Sequence, residues 1–332
     1  MPLILPFVAA LLMFFATCAA FAADEPEPAA RTLETVVVSG VQPGPGLWQV
    51  TKDNRTMWIL GTLRPLPKRM TWESREVVEK IAQSQEVLMT PSAQINVEGG
   101  RLRALFLVPS LLKARNNPDG RRLVDVVPAD LYERWLALKR VHLKRNNSVE
   151  KRRPIIAAWT LYEKAIERSG MSFDDIVTRV VEKAARKHDV PVNKPRIKHT
   201  IAAPKQALRE FAGATLDDVE CFRRTLTRLE SDVETMKERG NAWATGDIVT
   251  LRELPYTDQN QACLDAVLKA GVADKHGLAD LERRVDAKWL EAAEAALAKH
   301  RVTFAVLPIG EILDPEGYVE QLRDRGYVVT SP

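Results

Sequence analysis

The side chains able to do metal or nucleophilic chemistry are few: His142, His188, His199, His276 and His300, with Cys18, Cys221 and Cys263. No two histidines form an H-x-x-x-H or H-x-x-E-H pair and no C-x-x-C occurs, so the usual zinc spacings are missing. The chain also has no G-x-x-x-x-G-K-[ST] phosphate loop, no G-x-G-x-x-G turn and no G-x-S-x-G elbow, which argues against nucleotide binding and serine hydrolysis on familiar templates. Gly44-Pro45-Gly46 precedes a strand, not a helix, and reads as linker. Taken singly, each histidine reads as a surface or helix-end residue. His199 stands apart, because it closes a short extended run beside Thr200 and ahead of a helix, where sites of α/β folds gather.

Composition narrows the classes further. The 332 residues are 45% apolar and 28% charged, enough to bury a sizeable core and unlike a disordered or polytopic membrane chain. A net charge of +4 is too small for a dedicated nucleic-acid binder, so no nucleic-acid partner is expected. The densest basic stretch runs from 134 to 153, with Arg134, Lys139, Arg140, Lys144, Arg145, Lys151, Arg152 and Arg153 against Glu133 and Glu150. It reads as a solvated helix face and loop, with contact to anionic headgroups or acidic polysaccharide as the sharper alternative.

Residues 1–22 carry no charged side chain and end at Ala20-Phe21-Ala22, a small-x-small site followed by Asp24-Glu25-Pro26. This reads as a secretory signal peptide and places the mature chain in the periplasm or outside the cell; the missing basic n-region keeps an uncleaved anchor as the alternative. A lipoprotein role for Cys18 is disfavoured by Phe15-Ala16-Thr17 ahead of it. In an oxidising compartment Cys221 and Cys263 form an even pair, and sequence leaves a bridge and two separate thiols equally open.

The elements that must position any site follow from patterning. Residues 23–46 are a Pro/Gly-rich tether around the short β-branched run Val36-Val37-Val38, and a single domain spans 47–332. LWQVTKDNRTMWIL is two apolar stretches about a polar turn at 52–55, hence a hairpin. A helix over 73–84 and a strand over 86–90 follow, then a helical tract over 100–189 that divides near 125, 150 and 170. Pro128 and Pro154 mark first turns, and Ser172 with Asp175 resembles a capping box. Extended runs at 190–192 and 196–200, helices over 204–239 and 247–300, an apolar strand at 303–309, a helix near 315–325 and a strand at 327–329 complete the chain. The fold class is therefore α/β, a mixed central sheet flanked by helices with a large helical insertion.

Three segments in order, LWQVTKDNRTMWILGTLRPLP (47–67), NAWATGDIVTLREL (241–254) and TFAVLPIGEILDPEGYVEQLRDRGY (303–327), resemble the TraB/GumN family, which includes the Tiki-like metal-dependent hydrolases. The resemblance implies an opening hairpin with a Gly-Thr-x-His loop, a Trp-x-x-Gly-Asp segment and a terminal Gly-His turn, the histidines serving a metal site. Here those histidine positions hold Arg64 and Glu311. The glutamate expected after the first helix falls on Thr90 or Met89, a central Glu-Thr pair on His199-Thr200, and an Arg-Asn pair ahead of Trp289 on Val285-Asp286, or, shifted, on Arg283-Arg284.

Arginine offers donors only and cannot ligate a metal. The expected outcome is a degenerate site with no resident metal, in which Arg64 pairs with Glu311 and, with His199, binds an anionic small molecule, a peptide or an envelope polysaccharide without catalysis. The alternative is a peptidase or hydrolase that keeps activity through Glu311, Thr90 and His199, with His199 as base and Mn, Co or Zn as cofactor.

Overall fold

The structure is a computed structural model, and it describes residues 41–100, 105–214, 218–254, 263, 266 and 271–332. Val36-Val37-Val38 and the apolar leader lie outside the described residues. The hairpin expected at the domain start is formed by β2 (Leu47–Lys52) and β3 (Arg55–Thr62), after a two-residue β1 (Val41–Gln42). Asp53 and Asn54 both take positive φ, 49° and 59°, which gives the two-residue turn the twist that antiparallel strands need.

The remaining strands are β4 (Leu66–Pro67), β5 (Thr71–Trp72), β6 (Val87–Leu88), β7 (Ser92–Val97), β8 (Met171–Ser172), β9 (Val192–Asn193), β10 (Arg196–Ile201), β11 (Val302–Pro308) and β12 (Val328–Thr330). A six-stranded sheet has the order β12-β2-β3-β11-β6-β9. β3, β11, β6 and β9 run parallel, and β2 is antiparallel to both its neighbours, so the sheet is mixed. β11 sits centrally, and Thr303 to Leu307 are all buried, the continuous apolar run that a strand covered on both faces requires.

Helices Arg75–Ala82, Ile176–Lys187 and Leu281–Lys299 cover the sheet, with Ile81, Val181 and Leu297 in one core beside Met57, Ile59 and Phe304. A second core belongs to the helical insertion, where Ala129–His142, Pro154–Arg168 and Val219–Ser231 pack Trp135, Leu161, Phe222 and Leu226 together. Cys221 and Cys263 are bridged, which settles the choice between a disulfide and two thiols.

Three local expectations change. Residues 92–97 form β7, which the sequence reading leaves without an element; its partner is β10, with Ser92 opposite Arg196, about a hundred residues on. Asp175 alone caps the helix at 176, accepting from the Thr178 amide at 2.8 Å, while the Ser172 hydroxyl accepts from the Asp174 amide instead. A short helix, Ile309–Leu313, occupies the place read as a simple turn after the apolar strand.

The basic stretch is divided: Arg140, Lys144, Arg145 and Lys151 are exposed, as a solvated face requires, whereas Lys139 and Arg153 are buried. Lys139 is 8% exposed and bonds the 2% exposed Glu150 at 2.6 Å. Arg153 is buried and donates to the carbonyls of Phe211, Ala212 and Ala214 at the end of helix Pro204–Gly213, and to that of Ala114 at the end of Val108–Ala114. Its charge thus sits where two helices leave carbonyls without partners. Arg134 pairs with Glu230, and Arg152 with the Asn116 side chain.

Candidate functional site

The parallel strands β3, β11 and β6 end on the same side of the sheet, the side where α/β folds place their ligands. Register aligns Thr62, the last residue of β3, with Pro308, the last of β11, and the Thr62 hydroxyl donates to the Leu307 carbonyl at 3.3 Å. From β6, the Thr90 hydroxyl donates to the Val306 carbonyl at 3.0 Å. Three of the residues singled out by sequence follow these ends: Arg64 two positions past β3, Thr90 two past β6, and Glu311 in the first turn of the helix after β11.

Two close approaches fix this edge. A Cβ on Gly61 would lie 2.6 Å from the Ile309 Cδ1, so a glycine lets the terminal turn seat directly on the strand. The Gly61 carbonyl also accepts from the buried Trp243 indole at 2.9 Å. Residues from the opening hairpin, the Trp-Gly-Asp segment and the terminal turn therefore meet at one backbone position. Gly317 does the same for Glu311, since a Cβ there would stand 2.1 Å from the Glu311 carbonyl oxygen. In the middle segment Asp247 caps the helix Ile248–Glu253 by accepting from the Thr250 amide at 3.0 Å, and hydrogen bonding from Thr250 holds its carboxyl below the usual range.

The carboxylate placed against Arg64 is Asp175, the cap of helix Ile176–Lys187, at 3.6 Å. The Arg64 side chain is 51% exposed, and the Arg64–Pro65 peptide is cis. Glu311 is exposed, and its charge reaches the Tyr318 phenol. That phenol is pushed up first by burial and then by its 2.5 Å bond to Asp286, one of the two positions aligned with the Arg-Asn pair.

His199 occupies a different place. It stands on β10 opposite Ile95 and is half-buried, and its Nε2 donates to the His276 carbonyl at 2.7 Å. The His276 ring in turn meets Glu210 at 3.2 Å. His276 also lines an apolar cavity of about 700 Å³ between β7, β10 and four helices, which sequence reasoning did not find because its walls come from five separated segments.

Of these groups, Arg64 offers donors only, the Thr90 hydroxyl donates its proton to a carbonyl, and Glu311 carries a carboxylate. Among the described residues no group of three or more His, Cys, Asp or Glu is placed to hold a metal ion. No helix among them is long and apolar enough to cross a membrane. A family model described as the TraB/PrgY/gumN family matches residues 46–331. No curated protein and no solved structure matches the chain.

Proposed function

Because the chain belongs to the TraB/PrgY/gumN family over residues 46–331, we propose that it is an exported member whose metal-hydrolase site is degenerate. It works as a non-catalytic binding or accessory protein of the cell envelope. The observation that carries this reading is Arg64: a half-exposed guanidinium at the end of β3, braced by Asp175 at 3.6 Å, where the resemblance calls for a metal-binding histidine. Such a group repels a divalent cation and offers paired N–H donors to a carboxylate, phosphate or sulfate. The ligand is therefore anionic: a small molecule, the C-terminus of a peptide, or an acidic polysaccharide. Export is supported by the uncharged apolar leader at 1–22, and the Cys221–Cys263 bridge suits an oxidising compartment.

The test is thermal unfolding of the purified chain with acidic peptides and uronic-acid oligosaccharides on one side, and Mn²⁺, Co²⁺ and Zn²⁺ on the other. A ligand that binds only the native state raises the midpoint. The anionic ligands should raise it, the metals should not, and Arg64→Ala should abolish the response. Stoichiometric tightly bound metal in the purified protein, or metal-stimulated peptide cleavage lost in Glu311→Ala, would establish the hydrolase instead.

A further inference from the structure

The cavity beside His199 is built from a strand pair and helices. After Met89 the β6–β9 pair breaks at Pro91 and Pro195, neither of which has an N–H, and continues as β7–β10, still parallel and in register from Ser92–Arg196 to Val97–Ile201. One face of that pair carries Ile95, Val97 and Ile201, while Gln94 and Asn96 bond each other at 3.0 Å on the other face. Leu111, Phe211 and Leu281 close the cavity from three helices, and the His199 bond to the His276 carbonyl ties the segment at 276 to the strand pair. Exposed hydrocarbon adjoins the lining: Ile95, itself a lining residue, is 46% exposed, and Phe106, next in sequence to the lining residues Leu107 and Val108, is 82% exposed. Contiguous exposed hydrocarbon of this kind marks a binding surface.

The geometry points to a second site, independent of Arg64, that takes a single long hydrocarbon chain: the acyl chain of a fatty acid or of a lipid. Among the described lining residues only Ser92, His276 and Glu282 carry polar side-chain atoms, too few to answer the N–H and C=O that every residue of an extended peptide brings. The strand pair presents its face rather than its edge, which denies an extended peptide a ladder partner. The cavity, at about 700 Å³, lies within the size range of sites for one small ligand.

The experiment is displacement of a fluorescent fatty acid from the purified full chain by palmitate, with co-sedimentation on phosphatidylcholine vesicles as a second arm. Saturable one-to-one binding of palmitate identifies a free acid; vesicle binding without palmitate displacement identifies the acyl chain of a lipid. Ala93→Trp, at an exposed lining position, and Ile95→Asp should each weaken whichever binding is seen at least tenfold while the melting temperature stays within a few degrees. Binding unchanged in both variants, no binding in either arm, or a dimer that Ile95→Asp splits would overturn the assignment.

Discussion

Replacing Lys139 with methionine isolates the charge buried in the helical insertion. The Glu150 carboxylate is 2% exposed and accepts from Lys139 at 2.6 Å, the Trp135 indole at 3.1 Å and the Tyr132 hydroxyl at 3.2 Å. Burial pushes its carboxyl up, but the three donors together outweigh burial and hold it below the ordinary value of 4.5. Removing one partner of such a pair strands the other charge, at a cost of about 3–5 kcal/mol. In a chain of this size that lowers the melting midpoint by about 5–8 °C. Glu150→Gln should fall in the same range because Lys139 is then stranded. A Lys139→Met, Glu150→Gln double variant removes both charges while keeping an acceptor for the Trp135 indole and the Tyr132 hydroxyl, and should return to within about 1–2 kcal/mol of the parent.

The pH dependence gives a second handle on the same pair. A carboxyl held below its unfolded value stabilises the fold fully above that value, and the contribution disappears as pH falls through the folded value. In Lys139→Met burial dominates, the carboxyl rises, and the sign reverses: the variant should lose stability as pH climbs above the ordinary carboxylate range. Urea unfolding followed by tryptophan fluorescence between pH 3 and 8 measures both effects. Additive single-variant losses in the double variant, or parallel pH profiles for parent and Lys139→Met, would refute the buried-pair account.

Gly61→Ala should destabilise by about 1–3 kcal/mol through the 2.6 Å approach of Ile309 Cδ1, and Ile309→Val, which lacks that atom, should recover most of the loss. Gly317→Ala meets a backbone oxygen at 2.1 Å and should have no such rescue; both comparisons are read by chemical denaturation. Reduction of Cys221–Cys263, 42 residues apart, removes a loop constraint of about 4 kcal/mol, so a melting curve in dithiothreitol should shift to clearly lower temperature.

What could be read along the chain was what neighbours in sequence decide. LWQVTKDNRTMWIL states its hairpin through two apolar runs and a turn, and the buried run at 303–307 could only be a central strand. Ser92–Val97 was not legible as a strand, because its residues alternate weakly and its partner is supplied by β10. Arg64 was legible as a departure from the resemblance, but its carboxylate was not: Asp175 lies 111 positions later, and its first duty is to cap a helix. The basic stretch misled in part, for a related reason. Lys139 and Arg153 count toward surface charge in any composition, and only the fold shows one neutralised by Glu150 and the other spent on four carbonyls.

The contacts at the strand ends show which residues hold this edge of the family scaffold together, whatever stands at positions 64 and 311. Trp243 bonds the Gly61 carbonyl, Ile309 packs against the Gly61 Cα, and Gly317 admits the Glu311 carbonyl; each acts through backbone or hydrocarbon, and none requires a particular side chain at 64 or 311. Arg64 points its charge at Asp175 and solvent, and Glu311 is exposed, so substitution at either leaves the interlock intact. Residues that hold the edge together and residues that would do chemistry on it are thus different residues. It follows that membership over 46–331 carries the scaffold, whereas activity has to be argued from the side chains standing on it, and here those include a guanidinium, a hydroxyl bonded to a carbonyl, and the Glu311 carboxylate.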